Sequence, residues 1–220
     1  MARETTFGTV RSYTDLGLIQ QSVVIEPAIP KTNYVNLPGM NGMKDLTEAL
    51  GVGVKYEDRK ITWTFALYPG ADWYAKMSEV SNAINGKACH ITLSDDPTWY
   101  YDGRASVTKH TSNRLLKQIT VEAICRPYKL KPTETTVSRT DLTTSNKNVV
   151  LHIGMMPVIP VITINKDSFL SWNGLTYDSA PGTFAIPAWT MSGEQTIRAR
   201  ILSSADMPGS ITVTWREGSL

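Results

Sequence analysis

Three histidines are the first candidates for metal binding or proton transfer, because imidazole does both near neutral pH. His90, His110 and His152 lie on three different predicted strands. The sequence contains no HExxH, no CxxC and no cluster of two histidines with a carboxylate at metal-site spacing. We therefore predict histidines that face water or a subunit interface, no metal site and no cofactor.

Asp95 and Asp96 form the most prominent pair of carboxylates. Neighbouring side chains on an extended chain point apart, and an Asp before a proline (Pro97) favours a turn, so we predict turn residues rather than an acid–base pair. No Ser lies in a GxSxG elbow, and Gly51 and Gly53 are not followed by the further glycine and helix of a phosphate loop. The sequence thus indicates no catalytic residue, and we predict that the protein is not an enzyme.

Two cysteines, Cys89 and Cys125, each alternate with apolar residues in predicted strands. Met1–Thr6 contains no apolar run of a signal peptide, so we expect a reducing compartment. We predict that both cysteines are free thiols that pack as small core residues.

The aromatic residues suggest one binding function, carbohydrate binding, because aromatic rings stack on sugar rings. The candidates are Trp99–Tyr101, Trp172 and Trp189. Aromatic residues in short strands pack mostly in cores or cross-strand pairs. A carbohydrate-binding β-sandwich module that recognises a cell-surface glycan is therefore the alternative hypothesis, and a hydrolase with a dispersed site is a third.

The elements that must position these residues are mainly strands, since apolar residues recur at every second position. Residues 61–67, 197–201 and 211–216 show this alternation, and turn pairs such as Asn41–Gly42 separate such segments. One segment differs: Trp73, Met77, Val80 and Ile84 follow helical spacing. We predict an all-β chain with one amphipathic helix over about 72–85, capped by Asp72 and laid on a sheet.

Composition changes along the chain predict two domains. Residues 131–147 are rich in Thr, Ser, Lys and Glu and almost lack apolar residues, which indicates a linker or an exposed arm. We predict an N-terminal β-sandwich or barrel-like domain over 1–130 and a small C-terminal β-sandwich over 148–220.

Charge and hydropathy argue against nucleic-acid-binding and membrane-spanning proteins. The 220 residues carry a formal net charge of +2, which provides no basic surface for nucleic acid. No stretch reaches the roughly 18 apolar residues of a bilayer span. We expect neither nucleic-acid binding nor membrane insertion.

The order of several motifs over about residues 10–130 resembles the distal tail proteins (Dit) of long-tailed phages and prophages. Each motif is a turn or strand signal, and together they run Asp15–Ile19, Pro30–Lys31, Tyr34–Val35, Leu37–Gly42, Asp45–Thr47, Tyr56–Ile61, the helix, Asp95–Pro97, Tyr100–Arg104 and Arg126–Lys129. The segment Ile211–Leu220 is more loosely similar to the C-terminal sandwich of the same family.

The resemblance implies a structural baseplate-hub protein of the virion, assembled in the bacterial host cytoplasm. In this family the N-terminal domain forms a six-fold ring at the tail tip, which joins the tail tube protein to the tail-associated tip protein. The C-terminal sandwich projects outward and in some phages supports receptor-binding proteins. The implied partners are therefore further copies of the chain and these tail proteins, and we also expect the Thr-rich segment at 129–147 to lie on a neighbouring subunit.

Overall fold

The computed structural model describes residues 3–49, 53–67, 70, 72–112 and 117–220. The chain divides into two compact units, residues 1–129 with Leu220 and residues 130–219. Each unit has its own cluster of buried apolar side chains. Strands dominate both units and α1 is the one α-helix in the described ranges, so the predicted all-β fold with one helix is confirmed.

The first unit consists of a curled sheet, a separate hairpin and the helix. Its elements are β1 (Thr5–Phe7), β2 (Val10–Arg11), β3 (Leu18–Ile25), β4 (Tyr34–Asn36), β5 (Met43–Asp45), β6 (Arg59–Leu67), α1 (Trp73–Ile84), β7 (Lys87–Leu93), β8 (Asp96–Ser112) and β9 (Lys117–Leu130). The sheet order is β2-β1-β7-β8-β9-β6-β3, and the pairings that are described within it are antiparallel. Among the described residues, β4 and β5 pair only with each other.

Burial alternates strictly along β6, because one side of this strand faces the core. Its residues alternate between buried and half-buried along the whole strand, with Ile61, Trp63 and Phe65 fully buried. β9 pairs with β6 and buries Ile119 and Val121 on the same side. Gly51 of the glycine pair at Gly51 and Gly53 lies outside the described residues.

Helix α1 covers one side of the core, as its spacing predicts. Trp73, Val80 and Ile84 are buried, and Met77 packs against the core cluster. The Asp72 side chain accepts hydrogen bonds from the backbone N–H groups of Tyr74 and Ala75, which satisfies two donors that the first turn leaves unpaired. No helix among the described residues has the length and apolar character needed to cross a bilayer.

The second unit is a sandwich of two four-stranded antiparallel sheets. Their orders are β10-β17-β12-β15 and β11-β16-β13-β14. The elements are β10 (Thr135–Leu142), β11 (Lys147–His152), β12 (Val161–Ile164), β13 (Ser168–Trp172), β14 (Leu175–Ser179), β15 (Gly182–Ala185), β16 (Glu194–Ile201), a 3₁₀ turn (Ser204–Asp206), β17 (Gly209–Trp215) and β18 (Gly218–Ser219). Buried residues from both sheets, such as Ile162 and Leu170, form one core.

The predicted linker or arm at 131–147 is wrong for most of its length. Thr135–Leu142 is strand β10, an edge strand that pairs along β17 of the same chain. Its few apolar residues point inward: Leu142 is fully buried and Val137 packs against the core. The hydroxyls that suggested an arm lie on the outer face, where Thr136 contacts Thr214 at 3.2 Å between the Oγ1 atoms. Composition alone does not reveal this strand, because it contains few apolar residues.

Candidate functional site

The three histidines lie on separate strands, β7, β8 and β11, as predicted, and each has a different neighbour. The His90 ring lies 4.1 Å from the Tyr100 ring between centroids, and His110 lies 6.2 Å from Trp73. His152 approaches Glu194 at 3.8 Å. In the ranges that the structure describes, no group of three His, Cys, Asp or Glu residues could hold a metal ion.

Asp95 and Asp96 form ion pairs with two different basic side chains. Ser94 and Asp95 form the turn between β7 and β8, and Asp96 begins β8. Asp95 contacts Arg3 at 3.2 Å, whereas Asp96 contacts Lys129 at 2.8 Å. Each carboxylate therefore has its own partner, and the geometry is that of a hairpin turn fixed by ion pairs.

Both cysteines are free thiols on the core side of the first unit. Burial, and secondarily the nearby Cys89, raises the pKa of the Cys125 thiol to about 12. Burial also raises the pKa of Cys89. A thiol needs a lowered pKa to act as a nucleophile at neutral pH, so this environment does not activate either residue.

Three of the five aromatic candidates for sugar stacking are buried. Trp189 is 1% exposed and belongs to the core of the second unit, which contradicts its predicted role. Trp172 lies on the same strand face as buried Leu170, its Nε1–H donates to Gln195 Oε1 at 2.9 Å, and its ring lies 6.1 Å from that of Trp189. Tyr100 and Tyr101 are also buried. Trp189, Tyr100 and Tyr101 are thus buried, whereas Trp99 and Trp172 are half-buried.

Two grooves on the second unit are open to solvent. One, of about 400 Å³, is polar and is lined by Asn148, Ser171, Trp172, Asn173, Gly174, Thr196 and Arg198. The other, of about 480 Å³, is lined by apolar side chains such as Met156 and Val161, and at one end Glu134 and Arg216 form a 3.1 Å ion pair. Neither groove brings together a nucleophile, a base and an orienting group.

The largest group of exposed apolar residues in the first unit lies on and beside the β4–β5 hairpin. Ile29, Tyr34, Leu37, Met40 and Met43 are all exposed. Sequence reasoning identified the turn at Leu37–Gly42 but not this surface. Two methionines and a leucine in and beside a turn were the available signal, because turns are usually polar.

Comparisons with known proteins give one informative result. No protein-family model matches the chain, and no curated protein sequence matches it significantly. Among solved structures, the chain is similar to the Dit protein (gp 19.1) of phage SPP1, which is described as a paradigm of the hub adsorption apparatus in phages that infect Gram-positive bacteria. The match covers 100% of both chains with a TM-score of 0.64 and 16% sequence identity. The fold that the sequence resemblance implied is thus confirmed, and the chain has the fold of a Dit protein along its whole length.

Proposed function

We propose that the chain is a structural hub protein at the tip of a long phage tail. Its copies form a six-fold ring that joins the tail tube protein to the tail-associated tip protein, and receptor-binding proteins attach to the same assembly. The protein is made in the bacterial cytoplasm, becomes part of the virion and catalyses no reaction.

The single observation that carries this proposal is the match to the SPP1 Dit fold over the full length of both chains. A match limited to one unit would support a shared β-sandwich only, because such sandwiches serve many functions. Two further features support the proposal. The first unit exposes apolar side chains on a hairpin that contributes nothing to the core, and the described histidines, carboxylates and thiols form no reactive arrangement.

The carbohydrate-binding alternative loses most of its support in the structure. It depended on aromatic stacking surfaces, and Trp189, Tyr100 and Tyr101 are buried, while half-buried Trp172 donates its Nε1–H to Gln195. We therefore retain one function.

Two measurements test the proposal. Gold-labelled antibodies against the chain, applied to long-tailed particles from the producing host, are expected to label the tail tip. Negative-stain images of the purified protein, with its mass in solution, are expected to show six-fold rings of about six times 24.3 kDa. Label on the capsid or along the tail shaft, or none on particles, would contradict the proposed location.

A further inference from the structure

The polar groove of the second unit lies on the outer face of the β11-β16-β13-β14 sheet. Arg198 of β16 lies directly opposite Asn148 of β11 on one side and Ser171 of β13 on the other. Thr196 is the preceding outward residue of β16. Asn173 lines the groove from the two-residue turn between β13 and β14, where its φ of 46° fits a tight hairpin. We call these five side chains the groove cluster.

None of the side chains of the groove cluster forms a hydrogen bond or an ion pair with another described residue. The other sheet of the same unit shows the opposite arrangement, because its outward hydroxyls bond to each other. Ser138 Oγ lies 3.0 Å from Thr212 Oγ1, and Thr163 Oγ1 lies 2.9 Å from Thr183 Oγ1. The groove cluster therefore keeps its donors and acceptors available for a ligand.

The groove cluster is positively charged and contains no carboxylate. No carboxylate of a described residue lies within 4.0 Å of the guanidinium of Arg198 or of Arg200, which is the next outward residue of β16. The acidic residues of the four strands are Glu194, four residues from Arg198 along β16, and Asp178, two strands away from Arg200. This charge distribution favours an anion in the groove and disfavours a metal ion.

We propose that this groove binds a phosphate group carried by a polyol or a sugar. The planar guanidinium of Arg198 matches phosphate oxygens through two parallel hydrogen bonds. A phosphate monoester has close to two negative charges at pH 7, so it gains more than a carboxylate from the two neighbouring arginines. The amides and hydroxyls of the groove cluster offer both donors and acceptors to the adjoining hydroxyl groups of the ligand. The volume of about 400 Å³ suits a ligand of this size.

The site relies on charge and hydrogen bonds rather than on aromatic stacking. Trp172 borders the groove, but its ring is half-buried and its Nε1–H is donated to Gln195. A single-stranded nucleic acid fits less well, because such strands bind through exposed aromatic rings in a strongly basic groove, and the chain has a net charge of only +2. The inference goes beyond the proposed hub role and depends on the second unit alone.

Isothermal titration calorimetry on the full chain tests the site with glycerol 3-phosphate as the probe. Arg198→Gln removes the charge from the groove. Arg126→Gln is the matched control, because it removes an exposed arginine from the first unit. We expect Arg198→Gln to weaken binding at least about tenfold, as loss of a hydrogen bond to a charged group does. The control is expected to bind like the wild type, and circular dichroism checks that both variants are folded.

Further ligands distinguish what the groove recognises. Inorganic phosphate is expected to bind more weakly than glycerol 3-phosphate, and glycerol alone is expected not to bind, because the charge and the hydroxyls both contribute. Asn148→Ala is expected to weaken glycerol 3-phosphate more than inorganic phosphate. A glycerol-phosphate polymer identifies the source of the group: tighter binding per phosphate than the monomer assigns the site to a polymer, and equal or weaker binding assigns it to a small ester.

Three results would overturn the proposal. The first is that glycerol 3-phosphate does not bind, and the second is that Arg198→Gln binds it as tightly as the wild type. The third is that a single-stranded oligonucleotide binds through Arg198 whereas glycerol 3-phosphate does not, which would assign the groove to nucleic acid. None of these results bears on the tail-tip location, which antibody labelling tests separately.

Discussion

Cys125 shows how a single residue can be deeply embedded without being reactive. It lies opposite Arg59 in the β6–β9 ladder and is 1% exposed. Gly103 of β8 makes room for the thiol: a Cβ atom at position 103 would lie 2.5 Å from Cys125 Sγ and 2.6 Å from the Ile124 carbonyl oxygen. The glycine thus permits close approach of β8 and β9 at this point, and the packing that results excludes water from the sulfur.

We predict that Cys125 resists thiol reagents in the folded protein. Burial raises its pKa from 9.0 to about 12, so the reactive thiolate is about a thousandfold rarer at pH 8 than for an ordinary cysteine. A Cys89→Ala variant, which retains only Cys125, is expected to react with Ellman's reagent far more slowly when folded than in denaturant. A Cys125→Ala variant, which retains half-buried Cys89, serves as the comparison and is expected to react faster. Equal rates for folded and denatured Cys89→Ala would contradict the buried position.

The N-terminus of α1 is the element whose stability depends most clearly on one side chain. Asp72 Oδ1 accepts the Tyr74 N–H at 3.1 Å and the Ala75 N–H at 3.3 Å. We predict that Asp72→Ala destabilises the first unit by about 1 kcal/mol, as loss of a helix cap typically does. Denaturant unfolding measures this change. Asp72→Ser, which keeps a capping oxygen, is expected to stay within a few tenths of a kcal/mol of the wild type, and an equal loss for both variants would argue against capping.

The connection between β10 and the end of β17 makes the stability of the second unit depend on pH. Glu217 contacts Lys131 Nζ and accepts the Thr135 hydroxyl at 2.7 Å. These hydrogen bonds, that from Lys131 first, hold the pKa of the Glu217 carboxyl below its usual 4.5. A lowered pKa means that the folded state favours the carboxylate, so the stabilisation is complete above pH 4.5 and disappears as the pH falls through the folded-state value.

We therefore predict that Glu217→Gln lowers the melting temperature of the second unit at pH 7. The difference in melting temperature between the variant and the wild type is expected to shrink at pH 3. There the wild-type Glu217 carboxyl becomes protonated, so it loses its charge and its ionic contact with Lys131. Thermal unfolding followed by circular dichroism at both pH values checks this. A difference that is the same at pH 3 and pH 7 would show that the charge of Glu217 is not what stabilises the contact.

Strands and helices whose apolar residues recur at a regular spacing could be predicted from the sequence. Elements without such a spacing could not. β6 and α1 show periods of two and 3.6, and the structure buries the predicted faces. β10 has no such signal: its hydroxyls lie against Thr212 and Thr214, more than 70 residues away, and only that pairing makes it a strand. The sequence also left open whether Trp172 and Trp189 bind a sugar, because an aromatic residue in a short strand looks the same whether it faces a core or a ligand.

At the scale of the whole molecule, the proposed function depends on surfaces rather than on a reactive site. Turn signals at Leu37–Gly42 predicted a hairpin, but they could not show that the surrounding chain leaves the core completely. That property depends on where every other segment packs. A protein that joins neighbours needs exposed, ordered surfaces of this kind, and it can keep its ionisable groups in pairs such as Asp96–Lys129 and Lys60–Glu122.

Two separate cores imply that each unit can be destabilised by itself. Ile119 is fully buried in the first core and Ile162 is fully buried in the second. Removing one buried methylene from either costs about 1 kcal/mol and lowers the melting temperature of a unit of this size by about 4 °C. We predict that Ile119→Val and Ile162→Val each shift a different calorimetric transition, and that the double variant shows both shifts unchanged, since distant substitutions add. A single transition that both substitutions lower together would mean that the units unfold as one cooperative block. The two units would then share one stability, rather than each having its own.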